Sequence, residues 1–255
     1  MKKTVLIGLM ILVGFDSLYV KAQDNDYDEE HIASSLTNFS RFQSSIEFYD
    51  MNANENALYW VNNAKIEFGD RDYLNIELIG AYYQKDDAYL WTPGDFNVAY
   101  SRNYYSKNFS NSGWQGASTS LKLTIPTGNA ELAGLFGHWI LEPSVQYGWL
   151  LSDERFFIKN RWRVVVPIAN AGNYNEPPGF VRFEPQFGYE DKNMWISATF
   201  DNRLVYNMDA FVMFVRVDTG FKINDRMGIN AFYTKRIKSD VLFNTYTGVG
   251  LYYNF

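Results

Sequence analysis

No cysteine occurs in the 255 residues, and histidine appears only as His31 and His138. Without thiols there is no disulfide framework, no cysteine nucleophile and no thiolate metal site, and two isolated histidines do not make a metal cluster. Long apolar runs are also missing. Past residue 22, no stretch approaches the roughly 20 apolar residues of a membrane-spanning helix. Excess positive charge is absent too, since the formal net charge is −6. That balance argues against nucleic acid or an anionic membrane surface as the main partner. No glycine-rich phosphate loop is present. No catalytic, cofactor-binding or metal-binding residues are expected, and the chain does not read as an enzyme. A barrel hydrolase of lipid needs a histidine and a serine side by side at the rim. His138 has no serine two residues away, and Ser144 lies too far along the chain.

What is present begins at the N-terminus. Lys2 and Lys3, the apolar run Thr4 to Phe15 and the Val20-Lys21-Ala22 cleavage pattern read as a signal peptide over 1–22. The run is short for an uncleaved anchor, and the lack of cysteine after it excludes a lipid-anchored lipoprotein. Losing this leader removes three lysines and one aspartate, leaving the mature chain more acidic. The segment 23–39 carries Asp24, Asp26, Asp28, Glu29 and Glu30 and reads as a solvated periplasmic tail. A lumen plug or a partner-binding arm is the sharper alternative for it.

The remainder is aromatic, at 18% of the chain with Phe 20 and Tyr 19, yet its mean hydropathy is only −0.29. Period-two alternation explains both facts. In Val181 to Glu190, Val181, Phe183, Pro185, Phe187 and Tyr189 alternate with Arg182, Glu184, Gln186, Gly188 and Glu190. Such a segment is a strand with one apolar and one polar face. Residues 211–222 and 243–255 repeat the pattern. Reading back from Phe255 predicts strands at 40–50, 57–68, 73–84, 94–105, 115–126, 138–150, 155–167, 180–190, 194–205, 210–222, 227–238 and 243–255. Turn-forming clusters such as Asp191-Lys192-Asn193 and Asn224-Asp225-Arg226 fall at alternate connections, and longer loops fall among the others. Ser106 to Trp114 is long for the short-turn side, and Tyr206 to Asp209 is short for the loop side. Ten or fourteen strands therefore stay open beside twelve.

Trp139 and Trp149 share a parity on one predicted strand. At about 3.3 Å per residue and a tilt of roughly 40°, the interval between them spans about 25 Å, the height of the lipid band in outer-membrane barrels. A soluble barrel would turn its apolar face inward and need no such bracket. The fold class is therefore all-β: a single transmembrane antiparallel up-and-down barrel over 40–255 with about twelve strands, facing outer-membrane lipid.

The polar parity then faces a lumen. It includes Glu67, Glu77, Lys122, Glu142, Lys159, Arg161, Arg163, Arg182, Glu184, Arg203, Arg216 and Asp218. Glu77, Lys122, Glu142, Lys159, Arg161, Glu184, Arg216 and Asp218 are the candidate pore-lining residues. Two readings are open: the charges pair across a narrow lumen and fill it, or they line a constriction that orients a polar solute. Glu142-Pro143 and Glu184-Pro185 form a small repeat in which each proline is expected to mark a bulge.

The last residues, Gly-Val-Gly-Leu-Tyr-Tyr-Asn-Phe ending at Phe255, resemble the assembly signal of outer-membrane barrels, which implies the barrel-insertion machinery as a partner. Leu121 to Gly128 (LKLTIPTG) with Leu141-Glu142-Pro143 is similar to the phenol-degradation (MetA-pathway) outer-membrane protein family, regarded as transporters. The Glu-Pro strands and the Tyr-Asn-Phe terminus also resemble nucleoside-specific channels, which are twelve-stranded barrels. Together these readings give an outer-membrane channel or transporter for passive uptake of small solutes through a mixed-charge lumen. A non-conducting structural or partner-binding barrel is the alternative. The solute and the oligomeric state are not set by these residues.

Overall fold

A computed structural model describes residues 41–52, 55–68, 71–85, 88–104, 114–128, 138–151, 155–170, 179–206, 209–238 and 244–255. The signal peptide, the acidic segment 23–39 and His31 lie outside the described residues. Thirteen strands follow in order: β1 Arg41–Asn52, β2 Glu55–Phe68, β3 Asp72–Lys85, β4 Ala88–Pro93, β5 Phe96–Tyr104, β6 Trp114–Ile125, β7 His138–Leu150, β8 Phe156–Asn170, β9 Phe180–Glu190, β10 Met194–Val205, β11 Ala210–Lys222, β12 Met227–Lys238 and β13 Thr245–Asn254. Among the described residues no helix is long and apolar enough to cross a membrane.

All pairings are antiparallel and join sequence neighbours, except that β3 pairs with both β4 and β5, and β1 closes onto β13. The closing seam runs without a shift from Arg41↔Asn254 to Asp50↔Thr245. The rim at Arg41 and Asn254 is called the terminal rim below, and the opposite one the distal rim.

β4 and β5 both pair with β3, at Gly80–Lys85 and Asp72–Glu77 respectively. They are two halves of one stave, so the barrel has twelve staves, and the ten- and fourteen-strand alternatives fall. The single strand expected at 94–105 is thereby corrected: the stave starts at Ala88 and breaks at Gly94-Asp95. The break is held from both sides. The Gly94 amide donates to the Ile79 carbonyl at 2.7 Å. The Asp95 carboxylate accepts the amides of Thr127 and Gly128 at 3.1 and 2.9 Å, and the Thr127 hydroxyl donates to the Gly94 carbonyl at 2.9 Å. The Pro126-Thr127-Gly128 element thus packs on the interrupted stave.

Asp209, ahead of β11, takes φ 47°, a left-handed conformation that aspartate tolerates better than most residues. Neither Glu-Pro pair carries a bulge, which corrects that expectation. Pairing across Pro143 and Pro185 keeps one register, Leu121↔Pro143 and Asn160↔Pro185. A proline removes one ladder donor, and the uninterrupted neighbours hold the strand in line. Alternation alone turns Glu142 and Glu184 inward. The shifts occur elsewhere, for example between Trp139 and Ile140 on β7 and between Met213 and Phe214 on β11.

The barrel is inside-out relative to a soluble domain. Val249, Leu251, Ile46, Trp60, Leu78 and Phe221 are exposed on the outer surface, while Ser45, Ser197, Thr199, Asp201 and Glu184 are buried on the inner one. Lipid replaces the core for the first set. Trp139 and Trp149 share the outward parity of β7, as the girdle reading requires.

Inward glycines are filled by aromatics from the next strand. Phe157 lies over Gly188, Trp195 over Gly220, Tyr252 over Gly228 and Phe232 over Gly248, and each pair is in direct register. A Cβ on Gly220 would meet the Trp195 ring at 2.3 Å. Gly220→Val should therefore expel Trp195 and cost about 1–3 kcal/mol, read as a lower unfolding midpoint with a shifted tryptophan emission maximum.

Two turns at the terminal rim share one geometry. Asp191 Oδ1 accepts the amides of Asn193 and Met194 at 2.8 and 2.9 Å. Asn224 Oδ1 accepts those of Arg226 and Met227 at 2.9 and 2.8 Å. The backbone bonds from Asn193 and Met194 hold the Asp191 carboxyl below its ordinary value. A lowered native pKa gives stability that is present above the unfolded value and lost as pH falls through the native one. Acidification should accordingly lower the exchange protection factors of Asn193 and Met194, taken relative to the intrinsic rates at each pH, and leave those of Arg226 and Met227 unchanged, because Asn224 does not titrate. An equal loss of protection at both turns would contradict this account.

Candidate functional site: the charged lumen

The inward face of four neighbouring strands carries a continuous ionic ladder. Register sets Arg163 beside Arg182 and Arg182 beside Arg203, so three guanidinium groups lie abreast on β8, β9 and β10. Three like charges in a row repel, and interleaved carboxylates hold them: Glu184 and Asp201 one step toward the terminal rim, and Glu142 one step toward the distal rim. Arg163 donates Nη1 to Glu142 Oε1 at 2.9 Å, and Nη2 and Nε to Glu184 at 2.7 Å each. Arg161 forks onto the same Glu184 through Nε at 2.8 Å and Nη2 at 3.0 Å. Arg182 grips Asp201 with two bonds of 2.6 Å and approaches Glu184 at 2.9 Å. Arg203 bonds Asp201 from the same strand at 2.6 Å, and its guanidinium lies over the rings of Phe180 and Phe214. Planar forks matched to carboxylates are the strongest class of protein ion pair, and their bonds offset the cost of desolvation.

The two Glu-Pro strands now have a common purpose. Glu142 on β7 and Glu184 on β9 flank β8 and clasp Arg163 between them.

A second group stands on β11 and the seam strands. Arg216 bonds Asp218 at 2.8 Å and the Tyr246 hydroxyl at 2.8 Å, and it lies 4.1 Å from the Phe232 ring centre. Tyr49 stacks on Tyr246 at 4.8 Å and donates its hydroxyl to Glu47 at 3.0 Å. Toward the distal rim the inward residues become apolar: Ala57, Tyr59, Ala81 and Tyr83 on β2 and β3, and Val205, Val212 and Phe214 on β10 and β11.

Between the ladder and β1–β3 lies a polar cavity of about 400 Å³. Arg41, Lys65, Glu77, Lys122, Glu142, Arg161 and Arg163 contribute its charges. Glu77 accepts from Asn97 Nδ2 at 2.7 Å, and Asn97 in turn accepts from the Thr124 hydroxyl at 2.6 Å. Lys122 is the direct cross-strand neighbour of Glu142.

Of the residues named from sequence, Glu77, Lys122, Glu142 and Arg161 meet at this cavity. Glu184 stands behind the arginines that it braces. Lys159 lies over the Phe157 ring at 4.4 Å, and Arg216 and Asp218 form the separate aromatic cluster. Among the described residues, the ion pairs of the ladder and of the Arg216 and Lys65 groups join residues on one strand or on adjacent strands, and Lys222 and Glu190 at the terminal rim meet at 4.0 Å across β10. Neutralisation of these charges therefore runs along the wall, between near neighbours. Sequence reading missed Asp201, Arg41, Lys65 and the Tyr49–Tyr246 stack. Asp201 was within reach, because it shares parity with Arg203 two residues on. His138 is fully buried on the inward parity at the distal end of β7.

Glu184 is the pivot, with three arginines on one buried carboxylate. Glu184→Gln leaves Arg161 without a counter-charge and takes one of two from Arg163 and from Arg182, and should cost about 3–5 kcal/mol in denaturant unfolding of the folded barrel. Glu142→Gln, which strips one contact from Arg163, should cost clearly less. Equal costs would remove Glu184 from the centre of the ladder.

No protein-family model and no curated protein matches this sequence. Solved structures do. An outer-membrane channel from Pseudomonas putida F1 superposes with a TM-score of 0.65 at 11% identity, covering 90% of this chain and 100% of that one. The NanC porin gives 0.59 at 8% identity over 83% of this chain and 100% of its own. The KdgM porin gives 0.55 at 12% identity over 84% and 99%. At these identities the likeness is one of fold: this chain has the closed antiparallel barrel of bacterial outer-membrane channels and porins.

Proposed function

We propose that this protein is an outer-membrane channel that passes small polar solutes passively through its charged lumen. The observation that carries the reading is the polar cavity of about 400 Å³, whose bordering ion pairs run along the wall and leave the space between the walls open. Rings and rows of fixed charge at close quarters are how pores select solutes. The fold neighbours support the same reading, since they are described as a channel and as porins. One of those porins is described in complex with disordered oligogalacturonate, which speaks for that protein alone.

On this reading residues 1–22 direct export, and the barrel-insertion machinery reads the C-terminal strand that ends at Phe255. The terminal rim then faces the periplasm, with its short turns, and the distal rim faces outward. The competing reading, a non-conducting structural or partner-binding barrel, draws on the apolar inward residues toward the distal rim, where Val205, Val212 and Phe214 are fully buried. Single-channel recording of purified, folded protein in planar bilayers separates the two. Discrete conductance steps are expected, and a current no larger than leak would overturn the channel reading.

A further inference from the structure

The lumen is mixed in sign when its residues are counted, but the two signs are not presented equally. In the pair Arg161–Glu184 the arginine side chain is 40% exposed and the glutamate 4%. Lys65 is 28% exposed against 15% for Glu67, and Arg216 31% against 12% for Asp218. Arg182 and Arg203 likewise stand further out than Asp201. Arg163 and Glu142 are level, and in Lys222–Glu190 at the terminal rim the glutamate is the more exposed partner.

The cause is geometric. Strands hold all inward Cα atoms at one wall, and arginine or lysine is longer than aspartate or glutamate. A carboxylate therefore stays at the wall while its partner's charged head stands further into the lumen. Carboxylates act as footings, and cations form the surface a solute meets.

The cavity sharpens this bias. Five of its lining residues are basic, namely Arg41, Lys65, Lys122, Arg161 and Arg163, and its two acids are Glu77 and Glu142. Both acids are engaged, Glu77 by Asn97 and Glu142 by Arg163. Among the described residues Lys122 and Arg41 make no ion pair; Arg41 instead donates to Asn254 at 2.8 Å and lies over the Tyr252 ring. Serines 101, 118, 120 and 144 line the same space with hydroxyl donors.

We propose that this cavity is a binding site for small oxyanions, solutes bearing carboxylate or phosphate groups, and that the pathway prefers anions over cations. The preference for anions rests on the channel reading above, whereas the binding site does not, so two measurements are paired. In planar bilayers under a KCl gradient, the reversal potential should report chloride favoured over potassium by about threefold or more, as fixed charge in a narrow low-dielectric passage enforces. Lys122→Gln and Arg41→Gln should each lower that ratio toward one, and Glu77→Gln should raise it. The first two orphan no carboxylate, so the barrel should keep its folded, heat-modifiable migration.

In parallel, calorimetry on the detergent-folded protein should detect citrate, and the double variant Arg41→Gln/Lys122→Gln should weaken it by about fivefold or more. Spermidine, a cation, should not bind. A permeability ratio at or below one overturns the anion preference. Citrate that fails to bind, or binds the double variant unchanged, overturns the site. A silent bilayer with citrate binding that the double variant weakens overturns the channel reading and leaves the site standing. A silent bilayer without citrate binding removes both.

Discussion

Within lipid, every backbone N–H and C=O must find a partner on a neighbouring strand, because no water is there to take its place. This constraint makes the β1–β13 seam the pivotal contact of the molecule: it joins the first strand of the sheet to the last. Closure also explains how a chain with no cysteine holds together. The ladder replaces a disulfide framework, and lipid replaces a packed core for the outward side chains. Even the broken fourth stave respects the rule. Where Gly94 and Asp95 leave the strand, the Ile79 carbonyl and the Pro126-Thr127-Gly128 element supply the missing partners.

Closure has a second consequence, for charge. With a period of two, each strand that turns apolar residues to lipid turns its alternate residues to a confined interior. Arginine there needs counter-charge at hydrogen-bonding distance, and the nearest positions are on its own strand or the next one. The result is a wall-bound ladder in which Glu142, Glu184 and Asp201 stand between arginines. Pairing runs along the wall, and side-chain length decides which sign stands further from it. On the proposed channel reading, stability and solute preference come from the same ion pairs.

Alternation reaches further than contact. Strand positions, parity, the Trp139–Trp149 bracket and the inward set were legible because each depends only on local periodicity and the fixed height of the lipid band. Glu184 could be placed in the lumen from Val181 to Glu190 alone. Of its three arginine partners, Arg182 shares that parity two residues away, but Arg161 and Arg163 could not be assigned, since they depend on how far β8 slides against β9. The proline bulges were misread for a related reason. A proline announces a lost donor, but whether the strand bends is decided by the neighbours that hold its register, and these held it. The stave at β4 and β5 was read as one strand beginning at 94, because the bonds that sustain its other half come from β3.

The sequence by itself determined that this is a lipid-facing β-barrel with charged residues inside, because a period of two and a lipid band about 25 Å tall leave few other solutions. Only the tertiary structure decided the number of staves, the ladder that shares Glu184 among three arginines, and the cavity between Lys122, Glu77 and Arg161. Those features depend on closure and inter-strand register. A one-residue slip would turn each side chain to the opposite face, and nothing within a single strand's sequence sets that offset.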